Sequence, residues 1–556
     1  MGIWLARRAS GGLVDFFVSG RSLPWWLAGT SMAATTFSVD TPLYVTGLVA
    51  RRGVAGNWEW WAFALSHLLL IYVFARLWRR AEVVTDAELT ELRYGGRPAA
   101  VLRGTRAFLF AVPINCIAIG YVMLAMRKVI EALGVAAALP PWLPGDERLW
   151  IVVGLSVFVM VYAGVAGLWG VVATDFFQFG LAMLGALLVA GFAVADIGGL
   201  AALRDGVVEA GRADALRLVP RPGSPDLPMG TFLAYLGIQW WAWRRSDGGG
   251  EFVQRMSACR TERDAEGAAL LFNLLHYVVR AWPWILAALA ALVVFPGLED
   301  PEMGYPLLML RYLPAGLLGI VVASFVAAFM STVSTQINWG ASYLVNDLYA
   351  RFVDSTAPQR RLVALGRLSS ALIVAAGGAA AFFASDIGTV FRFMIAIGTG
   401  PGAVLMLRWF WWRVNAWAEL ASMLAGFAIA LLSYLPVFGD MEFGLRLAVT
   451  AFGAAAVWVP VMLLTPPERD ETLEAFYRRV RPAGPGWNRW RERTGLEPDA
   501  PLRRDALRTM AAASLLFGAM FALGGALLLR PGVAATAGVA ALAGWAVLAR
   551  TRRRTA

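Results

Sequence analysis

A chain of 556 residues that is 59% hydrophobic and only 16% charged is too apolar for a soluble globular protein. Its apolar runs are continuous rather than alternating, which excludes a β-barrel, and about fourteen of them reach the roughly 20 residues needed to cross a bilayer. The net charge of +11 comes from arginines gathered in short loops, which is how a membrane protein is oriented and not a sign of nucleic acid binding.

The class is therefore an all-α polytopic membrane protein. Cys116 and Cys259 fall in different spans or loops and imply neither a disulfide framework nor a metal cluster. His67 and His276 lie in apolar helices and read as satisfied core histidines. Met1 to Ser10 is too short and too basic for a cleavable signal peptide.

Residues 1–24 carry Arg7, Arg8 and Arg21 and read as a cytoplasmic N-terminal segment. Span 1, about 25–50, is apolar at its ends. Its middle holds Thr30, Ser31, Thr35, Thr36, Ser38, Thr41, the ionisable Asp40 and Pro42. Proline removes a helix hydrogen bond and disfavours helix at the preceding residue. A helix interrupted within a bilayer survives only where the freed carbonyls line a cavity or bind something. Interrupted helices of this kind hold substrate and coupling ion in secondary transporters.

Span 2, about 57–78, opens with Asn57-Trp58-Glu59-Trp60-Trp61. An arginine-rich inner loop leads to span 3, about 106–133, and an outer loop with Pro140, Pro141 and Pro144 follows. Spans 4 and 5 cover about 149–168 and 171–195, joined by Gly167-Leu168-Trp169-Gly170. Asp175, early in span 5, is a carboxylate inside a span, which is costly and by default functional. The segment 196–227 reads as extracellular. Span 6 starts near Pro228 and runs into Arg244-Arg245-Ser246-Asp247-Gly248-Gly249-Gly250, which cannot be a comfortable helix.

Span 7 is about 268–295 and span 8 about 315–349. Span 8 carries Ser331, Thr332, Ser334, Thr335 and Asn338, most of them three or four apart and so on one stripe. Such hydroxyls commonly bond back to their own helix or glue helices together. Beside carbonyls freed by a break, they also supply the several oxygens a small hard cation needs. Spans 9 and 10, about 364–384 and 387–412, follow, and Gly398-Thr399-Gly400-Pro401-Gly402 interrupts the latter. Peripheral spans 11 and 12 occupy 413–465, and a basic amphipathic segment, 466–504, reads as cytoplasmic. Spans 13 and 14 and an arginine-rich tail complete 505–556. The loop charges alternate in phase throughout, which places both termini in the cytoplasm of a cell (inner) membrane protein. The breaks in spans 1 and 6 are five spans apart, so two five-helix units, 25–195 and 228–412, lie inverted to one another.

Several stretches resemble the sodium:solute symporter family: Leu23-Pro24-Trp25-Trp26 with the polar span 1, Thr174-Asp175, Gln254-Arg255-Met256, the Ala-Ala-x-x-Ser-Thr-x-Ser-Thr run of span 8, and Phe476 to Pro482. The resemblance implies a leucine-transporter-like 5+5 inverted repeat with broken helices 1 and 6, and alternating access. It implies a sodium site built from the backbone carbonyls of Ala34, Phe37 and Ala328 and the hydroxyls of Ser331 and Thr332. A second sodium site would use Asp175, Ser334 and Thr335. Family members usually carry one more span before the broken one, whereas only about twenty residues precede Gly20-Arg21 here.

Solute is expected beside the breaks. The polar candidates are Asp40, Thr41, Glu59, Asn115 and Gln239, with Trp240 and Trp243 as walls or gates. Glu59 in Trp-Glu-Trp is similar to a sugar-contacting Tyr-Glu-Trp of sodium/galactose members and favours a sugar or polyol. Arg245 would suit an amino acid or other carboxylate, although Arg244 and Arg245 also read as positive-inside anchors, and Trp58, Trp60 and Trp61 as an interfacial belt. The expected function is a sodium-coupled symporter of a small organic solute in the lipid bilayer, with no organic cofactor, nucleic acid or obligate protein partner. Proton coupling through Asp40 or Asp175 is the near alternative. A membrane enzyme lacks a catalytic cluster or phosphate-binding glycine loop, and a transport-derived sensor lacks a signalling domain.

Overall fold

The computed structural model describes residues 21–83, 86–135, 146–162, 168–498 and 500–553, and these form helices joined by turns and short loops. Arg7 and Arg8 of the N-terminal segment, Pro140, Pro141 and Pro144, and Gly167 lie outside the described residues. Among the described residues eight helices are long and apolar enough to cross a membrane, and a ninth forms if the bent pair Val54–Trp61 and Ala64–Ala81 is one span. The chain is a multi-pass membrane protein.

The helices used below are α1 (Trp25–Thr35), α2 (Asp40–Arg52), α3 (Ala64–Ala81), α4 (Gly96–Ala132), α5 (Glu147–Tyr162) and α6 (Leu168–Ile197). They continue as α7 (229–242), α8 (Glu251–Ser257), α9 (Glu262–Val294), α10 (Ala315–Val353) and α11 (Gln359–Phe383). The rest are α12 (Ile387–Ile397), α13 (Gly402–Phe410), α14 (Ala416–Leu432), α15 (Phe443–Leu464), α16 (Asp470–Val480), α17 (Leu502–Leu527) and α18 (Pro531–Arg553).

Span 1 is interrupted, but upstream of its proline. Helix α1 ends at Thr35, residues 36–39 leave the helix, and α2 starts at Asp40. Pro42 sits in the first turn of α2, where a missing N–H costs nothing. The Thr36 and Phe37 amides fold back onto the Met32 and Ala34 carbonyls at 3.3 and 3.0 Å, closing the end of α1.

The glycine-rich runs of spans 6 and 10 are also interruptions, and they meet. Trp243 is extended, residues 244–250 turn, and α8 resumes at Glu251. The Arg244 amide donates to the Gly398 carbonyl at 2.8 Å, and the Gly400 amide to the Ala242 carbonyl at 2.9 Å. The Ser246 hydroxyl adds a bond to the Gly402 carbonyl at 2.8 Å. Backbone groups freed by one break thus satisfy those freed by the other, which removes the cost of leaving them unpaired in an apolar interior. Gly400, at φ +127°, is where this pairing demands glycine.

Two expectations are corrected. Trp58, Trp60 and Trp61 form no interfacial belt, because all three are buried and pack on one another and on Phe232, Tyr277 and Trp282. Arg244 is no headgroup anchor. It is buried, with its guanidinium over the rings of Phe110 and Trp243. The amphipathic reading of 466–504 holds for α16, which buries Leu473, Phe476, Tyr477 and Val480. Cys116 and Cys259 are both free and buried.

Candidate functional site

Three elements converge on Asp175 of α6. The Ser31 hydroxyl of α1 donates to its Oδ2 at 2.7 Å, and the Ser331 hydroxyl of α10 to its Oδ1 at 3.4 Å. The Arg255 guanidinium of α8 stands 3.6 Å from Oδ2, and its Nε donates to the Ser31 hydroxyl at 3.0 Å. Asp175 is 1% exposed, a carboxylate held inside the protein. Burying it without Arg255 and two hydroxyls would cost several kcal/mol (about 3–5 when one partner is removed). The arrangement sets a carboxylate, two hydroxyls and a cation between the helix that is interrupted and the helix with the hydroxyl stripe.

Ser331, Thr332, Ser334 and Thr335 are half-buried on α10, and Ala328 is buried one turn earlier. Ser334 donates to the Ser331 carbonyl at 3.2 Å, bonding back to its own helix as an unremarkable membrane serine does. The Ala34 carbonyl accepts the Phe37 amide, so the turn already uses one of its lone pairs. Of the residues assigned to two ion sites, the structure joins Asp175 directly to Ser331, one from each set.

The solute candidates divide. The Glu59 carboxylate is wholly buried and taken up by protein donors: the Tyr44 hydroxyl at 2.9 Å, the Tyr235 hydroxyl at 2.9 Å and the Arg52 guanidinium at 2.8 Å. Gln239 donates to the Glu59 carbonyl at 2.6 Å, and Asn115 to the Gln336 carbonyl at 2.8 Å. Asp40 Oδ1, Asn115 Oδ1 and Gln239 Oε1 are buried acceptors without a donor. Thr41 accepts from the Ser38 amide at 3.4 Å, at the mouth of the break. Trp243 is buried against Phe63, while Trp240, whose indole donates to the Leu236 carbonyl at 2.9 Å, and Arg245 are half-buried.

The break also gathers residues that were not singled out. Arg280 of α9 donates to the Ala33 and Thr36 carbonyls, each at 2.9 Å. His276 contacts it, and the chain's other histidine, His67, stands next to His276, with ring centroids 6.4 Å apart. His276 Nδ1 meets the Thr36 hydroxyl at 3.0 Å, and His67 Nδ1 meets the Tyr277 hydroxyl at 2.7 Å. Both are satisfied core histidines, as expected. The signal for Arg280 in the sequence is a lone arginine within the apolar run of span 7.

Comparison with known proteins follows the same lines. The chain is 23% identical over 466 residues to a sodium/glucose cotransporter of Vibrio parahaemolyticus, covering 79% of this chain and 83% of that one. It is 26% identical over 479 residues to sodium/myo-inositol cotransporter 2 of Oryctolagus cuniculus, covering 79% and 68%. Its fold is similar to that of a solved sodium-coupled sialic acid symporter in a substrate-bound outward-open state, with a TM-score of 0.64 at 19% identity over 84% of this chain and 95% of that one. The model of the sodium:solute symporter family matches residues 16–426, the interrupted helices and the Asp175 cluster included, and the chain belongs to that family.

Proposed function

We propose that this protein is a sodium-coupled secondary active symporter that imports a small organic solute by alternating access. Two inverted five-helix repeats, 25–195 and 228–412, would carry the interrupted helices, with the remaining helices peripheral and both termini in the cytoplasm. The observation that carries the reading is Asp175 bonded to both α1 and α10, beside an interruption whose carbonyls are free of regular helix pairing. The proposed first sodium site is made by the carbonyls of Ala34, Phe37 and Ala328 with the hydroxyls of Ser331 and Thr332. Asp175, Ser334 and Thr335 make the second, and there an entering cation competes with Arg255 for Asp175. No covalent chemistry and no organic cofactor are involved.

The solute we propose is a sugar or polyol. Asp40 Oδ1, Asn115 Oδ1 and Gln239 Oε1 are buried acceptors short of donors, and a polyhydroxylated solute brings donors. The relatives named for glucose and myo-inositol agree with this. Proton coupling stays the second reading because Asp40 is a buried carboxylate with an unpartnered oxygen at the break.

The test is thermal unfolding of purified protein in sodium against potassium at equal ionic strength. A ligand that binds the folded state raises its apparent stability by mass action. Sodium-specific stabilisation lost in Ser331→Ala/Thr332→Ala is the expected result. If the two salts are indistinguishable at saturation, the sodium sites are wrong and Asp40 and Asp175 become proton carriers to test.

A further inference from the structure

The interruption in span 1 is already occupied by a cation. Arg280, 2% exposed, reaches from α9 to the C-terminal end of α1. One terminal nitrogen donates to the Ala33 carbonyl at 2.9 Å and the Thr36 hydroxyl at 3.1 Å. The other donates to the Thr36 carbonyl at 2.9 Å and contacts His276 Nε2 at 3.3 Å. Guanidinium only donates, so His276 Nε2 accepts, and Nδ1 carries the proton of a neutral ring. Nδ1–H then donates to the Thr36 oxygen, which leaves the Thr36 hydroxyl proton for the Ala33 carbonyl, 3.0 Å away. Apart from Arg280 Nε, which is buried without a hydrogen-bond partner, each group has a consistent role, and His276 adds no second positive charge.

A helix C-terminus presents unpaired carbonyls and the negative end of its dipole. A neutral donor is enough to cap it, whereas a buried guanidinium carries a desolvation cost that only several oxygen partners offset. Arg280 has those oxygens: two carbonyls and a hydroxyl, the kind of donor set a small monovalent cation takes. Asp40, with a buried unpartnered oxygen, begins the helix on the other side of the break. We propose that Arg280 is a tethered cation that permanently fills the α9-facing side of the break, so that this side takes no ion from solution, and that its removal opens a new monovalent-cation site.

The inference rests on the break being an ion-holding element, but it concerns oxygens other than those proposed for sodium. The experiment keeps the two apart. Arg280→Ala is placed in the Ser331→Ala/Thr332→Ala background, and thermal unfolding of the purified protein is followed in methylguanidinium, sodium or choline chloride at constant ionic strength. The expected result is a midpoint rise of about 2 °C or more in millimolar methylguanidinium, with a smaller one in sodium, that the same background with Arg280 intact lacks. Equal responses with and without Arg280 overturn the proposal. A sodium response that persists in the background with Arg280 intact belongs to the second sodium site or counts against the Ser331 and Thr332 assignment, and the Arg280 proposal is decided by the difference that Arg280 makes. Should the alanine variant not survive purification, Arg280→Lys decides. Recovery near the parent yield with no cation response supports a tethered charge, and a yield as poor as that of alanine overturns it.

Discussion

Glu59→Gln keeps the shape of the side chain and removes a charge that ties together four segments. Its carboxylate accepts from Tyr44 and Arg52 of α2 and Tyr235 of α7, and Arg392 of α12 lies 3.7 Å away. Oε2 alone takes Arg52 and Tyr235, while Oε1 takes Tyr44. An amide has one acceptor oxygen, so either orientation turns an NH2 towards at least one donor. Breaking a buried ion pair costs about 3–5 kcal/mol. Arg52 and Arg392 keep 19% and 21% of their side chains exposed, and water takes up part of the loss. The cost worked from these contacts is about 2–4 kcal/mol. At about 2.1 cal/mol/K per residue, unfolding a chain of this length changes entropy by about 1.2 kcal/mol/K, so the midpoint falls by at least about 2–3 °C. Membrane helices that survive unfolding reduce that entropy and enlarge the shift. The assay is fluorescence-detected thermal unfolding of Glu59→Gln, Arg52→Gln and the double variant. The double variant should lose less than the sum of the singles, since the pair acts as a unit. A shift below about 1 °C in Glu59→Gln, or strict additivity, refutes the reasoning.

Further outcomes follow from other contacts. Arg408 sits between Asp247, at 2.7 Å, and Glu419, at 3.3 Å, with all three buried. Arg408→Met should destabilise by about 3–5 kcal/mol, and adding Asp247→Asn should recover part of it. Unfolding midpoints that drop further in the double variant would contradict this. Gly402→Ala drives a methyl into the Trp241 carbonyl, and Gly426→Ala drives one into the Thr399 carbonyl. Both should cut the yield of monodisperse protein in size-exclusion chromatography, whereas Gly532→Ala, which meets open space, should not. Asp386 caps α12 in the loop after α11. Burial alone would raise its pKa, but hydrogen bonds from Thr389 and the Arg51 guanidinium outweigh burial and hold it below the ordinary value. Its stabilising contribution is full above the unfolded pKa of about 3.9 and is lost as pH falls through the lower folded value. Asp386→Asn should therefore lie below wild type in stability at pH 6 and converge with it in acid, and a gap that stays constant with pH argues otherwise.

Local chemistry was readable along the chain. Hydropathy marked a multi-pass membrane protein because hydrocarbon leaves a spanning helix no other partners for its backbone. The hydroxyl-rich middle of span 1 and the glycine runs of spans 6 and 10 marked interruptions because each weakens helix through its own residues. The spacing of Ser331, Ser334 and Thr335 gave a polar stripe from helix periodicity alone. What the interruptions touch was decided only in three dimensions. Ser31 finds Asp175 144 residues later, and Arg280 caps a helix some 244 residues before it. The turns of spans 6 and 10 stitch to one another through backbone amides, which carry no side-chain signature. Glu59 looked available for solute and instead spends its oxygens on Tyr44, Arg52 and Tyr235. A buried charge must find its partners wherever the fold brings them, and sequence spacing holds no record of that distance.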